Sequence, residues 1–209
     1  MTLRVALLDS GVDAQHPHLA GAGKITIGPR LTEDGSLEDV SEQTDSLGHG
    51  TAAAAAILDL APGIELVSIQ VFGAAGACPF EHVLVALEHA LELQVDLVNL
   101  SLGTTRRAWR ERLTPLVARA SQLGTRIVAP AAHHGLPSLP GCLAGVHGVL
   151  MDANLAREAP EHRELEEHDC WYASPYPRDL PGLPRDANLA GVSMAAANLT
   201  GFLARLRAC

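Results

Sequence analysis

Three residues of the 209-residue chain have the types that together make a hydroxyl reactive, and each stands within two residues of a glycine: Asp9 in VALLDSG, His49 in DSLGHGTAAAAAI and Ser193 in GVSMAAANLTG. A carboxylate can orient an imidazole, the imidazole can take a proton, and the serine oxygen so freed can attack a carbonyl near neutral pH. Taken singly, each has an ordinary structural meaning. An aspartate closes turns, a histidine caps or packs a helix, and a serine ahead of an alanine run marks a helix N-terminus. Taken together they supply an orienting group, a general base and a nucleophile.

Positioning these residues requires elements that end where they stand. RVALLD (4–9), ELVSIQVF (65–72), VDLVNLSL (95–102), TRIVAPA (125–131) and VHGVLM (146–151) read as buried strands. Between them lie helical patterns. One carries Val83, Leu84, Leu87, Ala90 and Leu91 on one side; the next carries Trp109, Leu113, Leu116, Val117, Ala120 and Leu123, with Gly124 to stop it. Strand, helix and strand in succession imply right-handed crossovers and a mostly parallel sheet with helices on both faces, an α/β three-layer fold whose function gathers at the carboxyl ends of the strands. Gly28–Ser46 and Asp152–Asp186 read as irregular surface loops, and the acidic run Glu158–Asp169 as a solvated one.

Composition narrows the function classes. With 47% apolar residues, the chain over residues 1–209 is expected to form one domain with a substantial core. Its net charge of −9 argues against nucleic acid and anionic lipid as partners. The N-terminus lacks a signal-peptide core and no apolar run reaches membrane-spanning length, so a cytoplasmic protein is expected. Cys78, Cys142, Cys170 and Cys209 show no C-x-x-C spacing and read as reduced thiols. Ten histidines raise the question of metal, but none has the helical spacing of a zinc protease motif, and no cofactor is expected.

The order Asp, His, Ser, with the sequence around each, resembles the subtilisin-like serine proteases. VALLDSGVDAQHPHL resembles the aspartate motif of that family, including the His16-Pro17 pair; GHGTAAAAAI resembles its His-Gly-Thr motif and GVSMAAANLTG its Gly-Thr-Ser-Met-Ala motif. LAPGIELVSIQVFG resembles the segment leading to the substrate-binding edge, and VDLVNLSLG the family's Ser-Leu-Gly segment. The resemblance covers nearly the whole chain. It implies that Asp9 orients His49, that His49 takes the Ser193 proton, and that Ser193 forms an acyl-enzyme which water hydrolyses. Ser101, Leu102 and Gly103 would form one wall of the substrate groove and Gly73–Ala77 the other.

The chain departs from the family at several points. In PAAHHG (130–135), His133 stands where the family's oxyanion-hole asparagine is expected, with His134 one position away. A neutral imidazole with its proton on the inward nitrogen can still donate one hydrogen bond. Val192 and Ala197 replace the usual Thr and Pro around the nucleophile. The connection after the His49 helix is cut to DLAPG (59–63), which predicts a calcium-free core, and a chain that starts at the first strand is expected to work without a propeptide. Two readings follow. In one, the chain is an endopeptidase processing a dedicated peptide or protein substrate, with a regulatory partner protein restraining it. In the other, it is a pseudoprotease that binds peptides and turns over poorly because of His133. Transfer of the acyl group to an amine has no sequence feature in its favour.

Overall fold

The computed structural model describes residues 2–73, 75–165 and 168–208. In chain order the elements are β1 (Arg4–Asp9), β2 (Lys24–Leu31), β3 (Leu37–Glu38), α1 (His49–Leu60), β4 (Glu65–Gln70), α2 (Phe80–Glu92), β5 (Leu97–Leu100) and α3 (Arg110–Leu123). There follow β6 (Arg126–Pro130), β7 (Ala132–His133), β8 (Leu136–Pro137), β9 (Val146–Met151), β10 (Glu161–Leu165), β11 (His168–Ala173) and α4 (Val192–Ala208). Among the described residues one sheet has the order β10-β11-β9-β6-β5-β1-β4-β2-β3. The strands from β11 to β2 in that order run parallel, and β10 and β3 pair antiparallel at its two edges.

Two-sided burial explains the unbroken apolar strand runs. Val5 and Leu7 of β1 pack with α1 and α4, whereas Ala6 and Leu8 pack with α2 and α3. Alternate residues of a strand face opposite ways, so a central strand covered on both sides needs an apolar residue at each position. This is the three-layer arrangement expected from the sequence. By the same alternation Asp9 falls on the face of Val5 and Leu7, toward α1.

Helices α1 and α4 run side by side in the same direction. Each starts at the carboxyl edge of the sheet: His49 meets Asp9 at the end of β1, and Ser193 Oγ meets the Ser101 carbonyl just past β5. Near its other end α4 returns to the amino edge, where Arg207 donates to the Asp96 carbonyl ahead of β5. Ile57 lies eight residues after His49 and Gly201 eight after Ser193, and a side chain built on Gly201 would have its Cβ 2.9 Å from Leu60 Cβ and 3.0 Å from the Ile57 carbonyl oxygen. The small residues Ala53–Ala56 and Ala195–Ala197 make so close an approach possible, and all of them are buried. His49 and Ser193 thus both stand at the start of their helices, on the carboxyl edge of the sheet.

Several expectations need correction. KITIGPRL forms β2, an inner strand pairing with β4, and residues 37–38 form β3, so Gly28–Ser46 is not wholly irregular. The Gly28-Pro29 interruption that hid β2 is absorbed by a register shift between Ile27 and Arg30. Likewise Asp152–Asp186 contains the β10–β11 hairpin, whose charged residues suit an edge; Glu158, Glu161 and Glu164 are exposed there, while Glu166 and Glu167 lie outside the described residues. Strands expected over 65–72, 95–102 and 125–131 end sooner, because their last residues turn away to build the carboxyl edge. Leu123 ends α3 and is exposed, and Trp109 lies in a turn ahead of that helix rather than within it. No disulfide is formed among the described residues; Cys209 lies outside them. No helix among them is long and apolar enough to cross a membrane.

The tight α1–α4 crossing yields a prediction. Gly201→Val should lower stability by about 1–3 kcal/mol, as forcing methyl groups into a filled interface does. A urea melt measures it, and an unchanged midpoint would contradict this packing.

Candidate active site

Asp9 is 1% exposed and ends the central strand β1. Its Oδ1 accepts two hydrogen bonds, from the Ser10 amide at 2.7 Å and from His49 Nδ1 at 2.8 Å, while Oδ2 is buried with no partner among the described residues. The residues around Asp9 also hold the helix that carries His49. Ser10 Oγ accepts from the Gly50 amide at 2.9 Å and donates to Asp45 Oδ1 at 2.8 Å, and Asp45 Oδ2 accepts from the Thr51 amide at 2.7 Å. Two amides of the first turn of α1, which have no carbonyl of their own helix to bond, are thus satisfied by groups that fix Asp9 against His49. Gly50 is indispensable at this crossing: any side chain would have its Cβ 2.1 Å from the Gly11 carbonyl oxygen.

Opposing influences set the proton affinity of His49. Burial is the largest and works against a charged ring, but the hydrogen bond to Asp9, the Asp9 charge and that of Asp45 together outweigh it, and the pKa is raised. An imidazole bonded through Nδ1 to a carboxylate has its tautomer fixed, leaving Nε2 as the basic nitrogen when the ring is neutral.

Ser193 sits in the first turn of α4. Its hydroxyl donates to the Ser101 carbonyl at 2.9 Å. Behind this contact lies a buried chain of side-chain bonds: Thr200 Oγ1 donates to Asn99 Oδ1 at 2.7 Å, and Asn99 Nδ2 donates to Ser101 Oγ at 2.9 Å. Helix α4 is therefore fastened to the end of β5 at Ser193 and again at Thr200. The first donors into its ladder are Met194 and Ala195, both to the Gly191 carbonyl, so the amides of Val192 and Ser193 stand ahead of it as the free N–H groups of a helix start do.

A cavity of about 320 Å³ opens at Ser193. Ser101, Leu102 and Gly103 line it, as do Gly76 and Ala77; Gly73 is not among the lining residues and Ala74 lies outside the described residues. His133 lines the same cavity and His134 does not. The reason is local. His133 is the last residue of β7, and His134 and Gly135 form a two-residue turn with φ of 48° and 77° into β8, the geometry of a tight hairpin with left-handed residues at both central positions. Sequence reasoning missed the apolar contributors Phe72, Phe80, Val83 and Pro130, as well as Cys78 and Ser138. Burial pushes the Cys78 thiol up to about 11, so it stays protonated near neutral pH and is no rival nucleophile. A larger cavity of about 710 Å³, lined by Arg126, His147 and Trp171 among others, lies at the opposite edge of the sheet, so volume alone does not mark the site.

Titration of His49 by NMR checks this geometry. Its midpoint should lie above the ordinary histidine value near 6.5, and Asp9→Asn should bring it below that value by leaving burial less opposed. Because the folded-state pKa is raised, the pair contributes stability that is present below the ordinary histidine pKa and is lost as pH rises through the raised value. An Asp9→Asn variant whose His49 midpoint does not move would contradict the pairing.

Comparison with known proteins agrees with the fold. The model of the Subtilase family matches residues 2–135. The chain is 27% identical to the major intracellular serine protease of Bacillus subtilis (strain 168) over 98% of its own length and 68% of that protein's. It is 26% identical to an intracellular serine protease of Paenibacillus polymyxa, over 98% of its length and 66% of the relative's. A cold-adapted subtilisin-like serine proteinase of known structure superposes with a TM-score of 0.71 at 18% identity, covering 97% of this chain and 74% of that one. With its three-layer fold and a family match over more than half its length, the chain belongs to the subtilase family of serine peptidases.

Proposed function

We propose that the chain is a serine endopeptidase with Ser193 as nucleophile, His49 as general base and Asp9 as the orienting carboxylate, cleaving a peptide or protein substrate inside the cell. The observation that carries this reading is the 2.8 Å bond from His49 Nδ1 to a buried Asp9, on the sheet edge where α4 delivers Ser193. The intracellular setting is supported by the names of the two relatives. In the resting site the Ser193 proton is held by Ser101. Attack requires a turn about the serine Cα–Cβ bond that hands the proton to His49 Nε2 as Oγ bonds to the scissile carbonyl carbon. The tetrahedral oxygen would then face the start of α4, and His133, which lines the same cavity, would serve as a side-chain donor to it. Collapse expels the amine, protonated by His49, and water, deprotonated by the same imidazole, releases the acyl group. An extended substrate lies against residues 101–103, where backbone bonding gives affinity and the cavity gives selectivity.

Hydrolysis of a peptide library tests this. Ser193→Ala should reduce turnover by on the order of a million-fold, as loss of the nucleophile does in such a triad. His133→Ala should lower kcat by about 100-fold with little change in KM, and His133→Asn should restore it, because the bond forms mainly in the transition state. If wild type cleaves nothing yet binds peptides, the chain is a binding module. If His133→Ala is silent, the oxygen is held by backbone amides alone.

A further inference from the structure

In a chain of net charge −9, TTRRAWRERL (104–113) gathers Arg106, Arg107, Arg110 and Arg112 within seven residues. All four are exposed, and no ion pair joins any of them to a carboxylate among the described residues. Further along α3 the pattern is different, for Arg119 pairs with Glu88 of α2 at 3.4 Å. Glu111 on the same helix and Glu81 on α2 beside Phe80 are exposed and form no ion pair with the cluster.

The cluster occupies the first turn of α3 and the turn before it. That is the positive end of the helix dipole, where arginine is disfavoured, and the four charges also repel one another. Helix stability gives no reason to concentrate arginine there. Its position relative to the groove does. Beyond Gly103, which lines the cavity at Ser193, the chain is clamped by mutual backbone bonds between Thr104 and Leu139 at 2.9 and 2.8 Å. The Arg106 amide then donates to Thr104 Oγ1 at 3.2 Å. Trp109 packs at a tilt against Phe80, another lining residue, with ring centroids 5.2 Å apart, and the Arg112 guanidinium lies 5.5 Å over the Trp109 ring. The charged surface is thus rigidly continuous with the groove wall.

We propose that Arg106, Arg107, Arg110 and Arg112 form an anchoring surface for acidic side chains of the protein substrate, outside the residues that fill the cavity at Ser193. The identity of the partner as a substrate rests on the endopeptidase reading; the docking itself does not. A protein segment fits better than nucleic acid because the patch is short, continues from a peptide groove and belongs to an acidic molecule that repels a long polyanion. The surface adds affinity and encounter rate through charge, leaving the chemistry at Ser193 unchanged.

Dye-labelled peptides with one common core and an acidic, a neutral or a lysine flank, placed on either side in turn, test the proposal. Binding is read by fluorescence anisotropy with Ser193→Ala, and hydrolysis with the wild type. An acidic flank on one side should lower Kd and raise kcat/KM by about tenfold at about 20 mM salt with kcat unchanged, and the gain should shrink to within about twofold at 0.5 M salt. Replacing the four arginines together by glutamine should remove the gain while leaving neutral-flank hydrolysis as it was. Equal Kd values for acidic and neutral flanks, or a gain that survives in the glutamine variant, would overturn it. So would a variant that loses affinity for single-stranded RNA or phosphatidylserine vesicles while the flanks make no difference. Tight, arginine-dependent binding of acidic peptides without hydrolysis would keep the anchoring surface and reject the peptidase reading.

Discussion

A carboxylate almost wholly removed from water must be compensated, and the way Asp9 is compensated organises the rest of the structure. A buried charge left unpaired is among the costliest features a fold can hold. Here the charge is met by one amide and one imidazole, both on the same oxygen. To bring that imidazole in, α1 must begin within touching distance of the end of β1, which is why Gly50 passes the Gly11 carbonyl with no room for a side chain. Ser10 and Asp45 then serve two ends at once, capping the helix and locking the pair. Asp45 adds its charge to the field at His49.

The second constraint is the placement of Ser193, the proposed nucleophile, at the sheet edge where α1 begins. Helices that start at one edge of a sheet and run together toward the other keep their N-termini in step only if they pack closely along their length. The alanines of α1 and α4 and the contact of Gly201 with Ile57 and Leu60 provide that closeness. Further anchorage comes from Arg157, whose guanidinium reaches Asn198 of α4 at 3.0 Å and both the Ala56 carbonyl and Asp59 of α1, at 3.1 and 2.9 Å. The Thr200–Asn99–Ser101 chain sets α4 against the sheet, so that Ser193 meets the Ser101 carbonyl.

Much of this was legible in the sequence because the signals were strong and local. Apolar runs bounded by turn residues gave the central strands, and of the glycines around Asp9, His49 and Ser193, Gly50 stands where backbone comes closest, against the Gly11 carbonyl. What stayed hidden depended on contacts between distant segments. Strand β2 was masked by Gly28-Pro29, and β10 and β11 by charges that an edge tolerates. Asp45 looked like one acid among several in a polar stretch, although an acid shortly before a helix start is itself a capping signal. Cys78 and Ser138 carry no local pattern that would place them at a cavity. His133 was found only because a resemblance said where a donor should stand, and its place on the cavity wall follows from the His134-Gly135 turn.

The central claim is that the Asp9–His49 pair makes one hydroxyl nucleophilic. A serine-directed fluorophosphonate, with the modified residue identified by mass spectrometry, measures that property without requiring the right substrate. The account predicts modification at Ser193 alone, with a rate that rises with pH as His49 loses its proton and that collapses when His49 is replaced by alanine. Folded protein that stays unlabelled at high probe concentration, or that labels at Ser193 at a rate indifferent to His49, would contradict it.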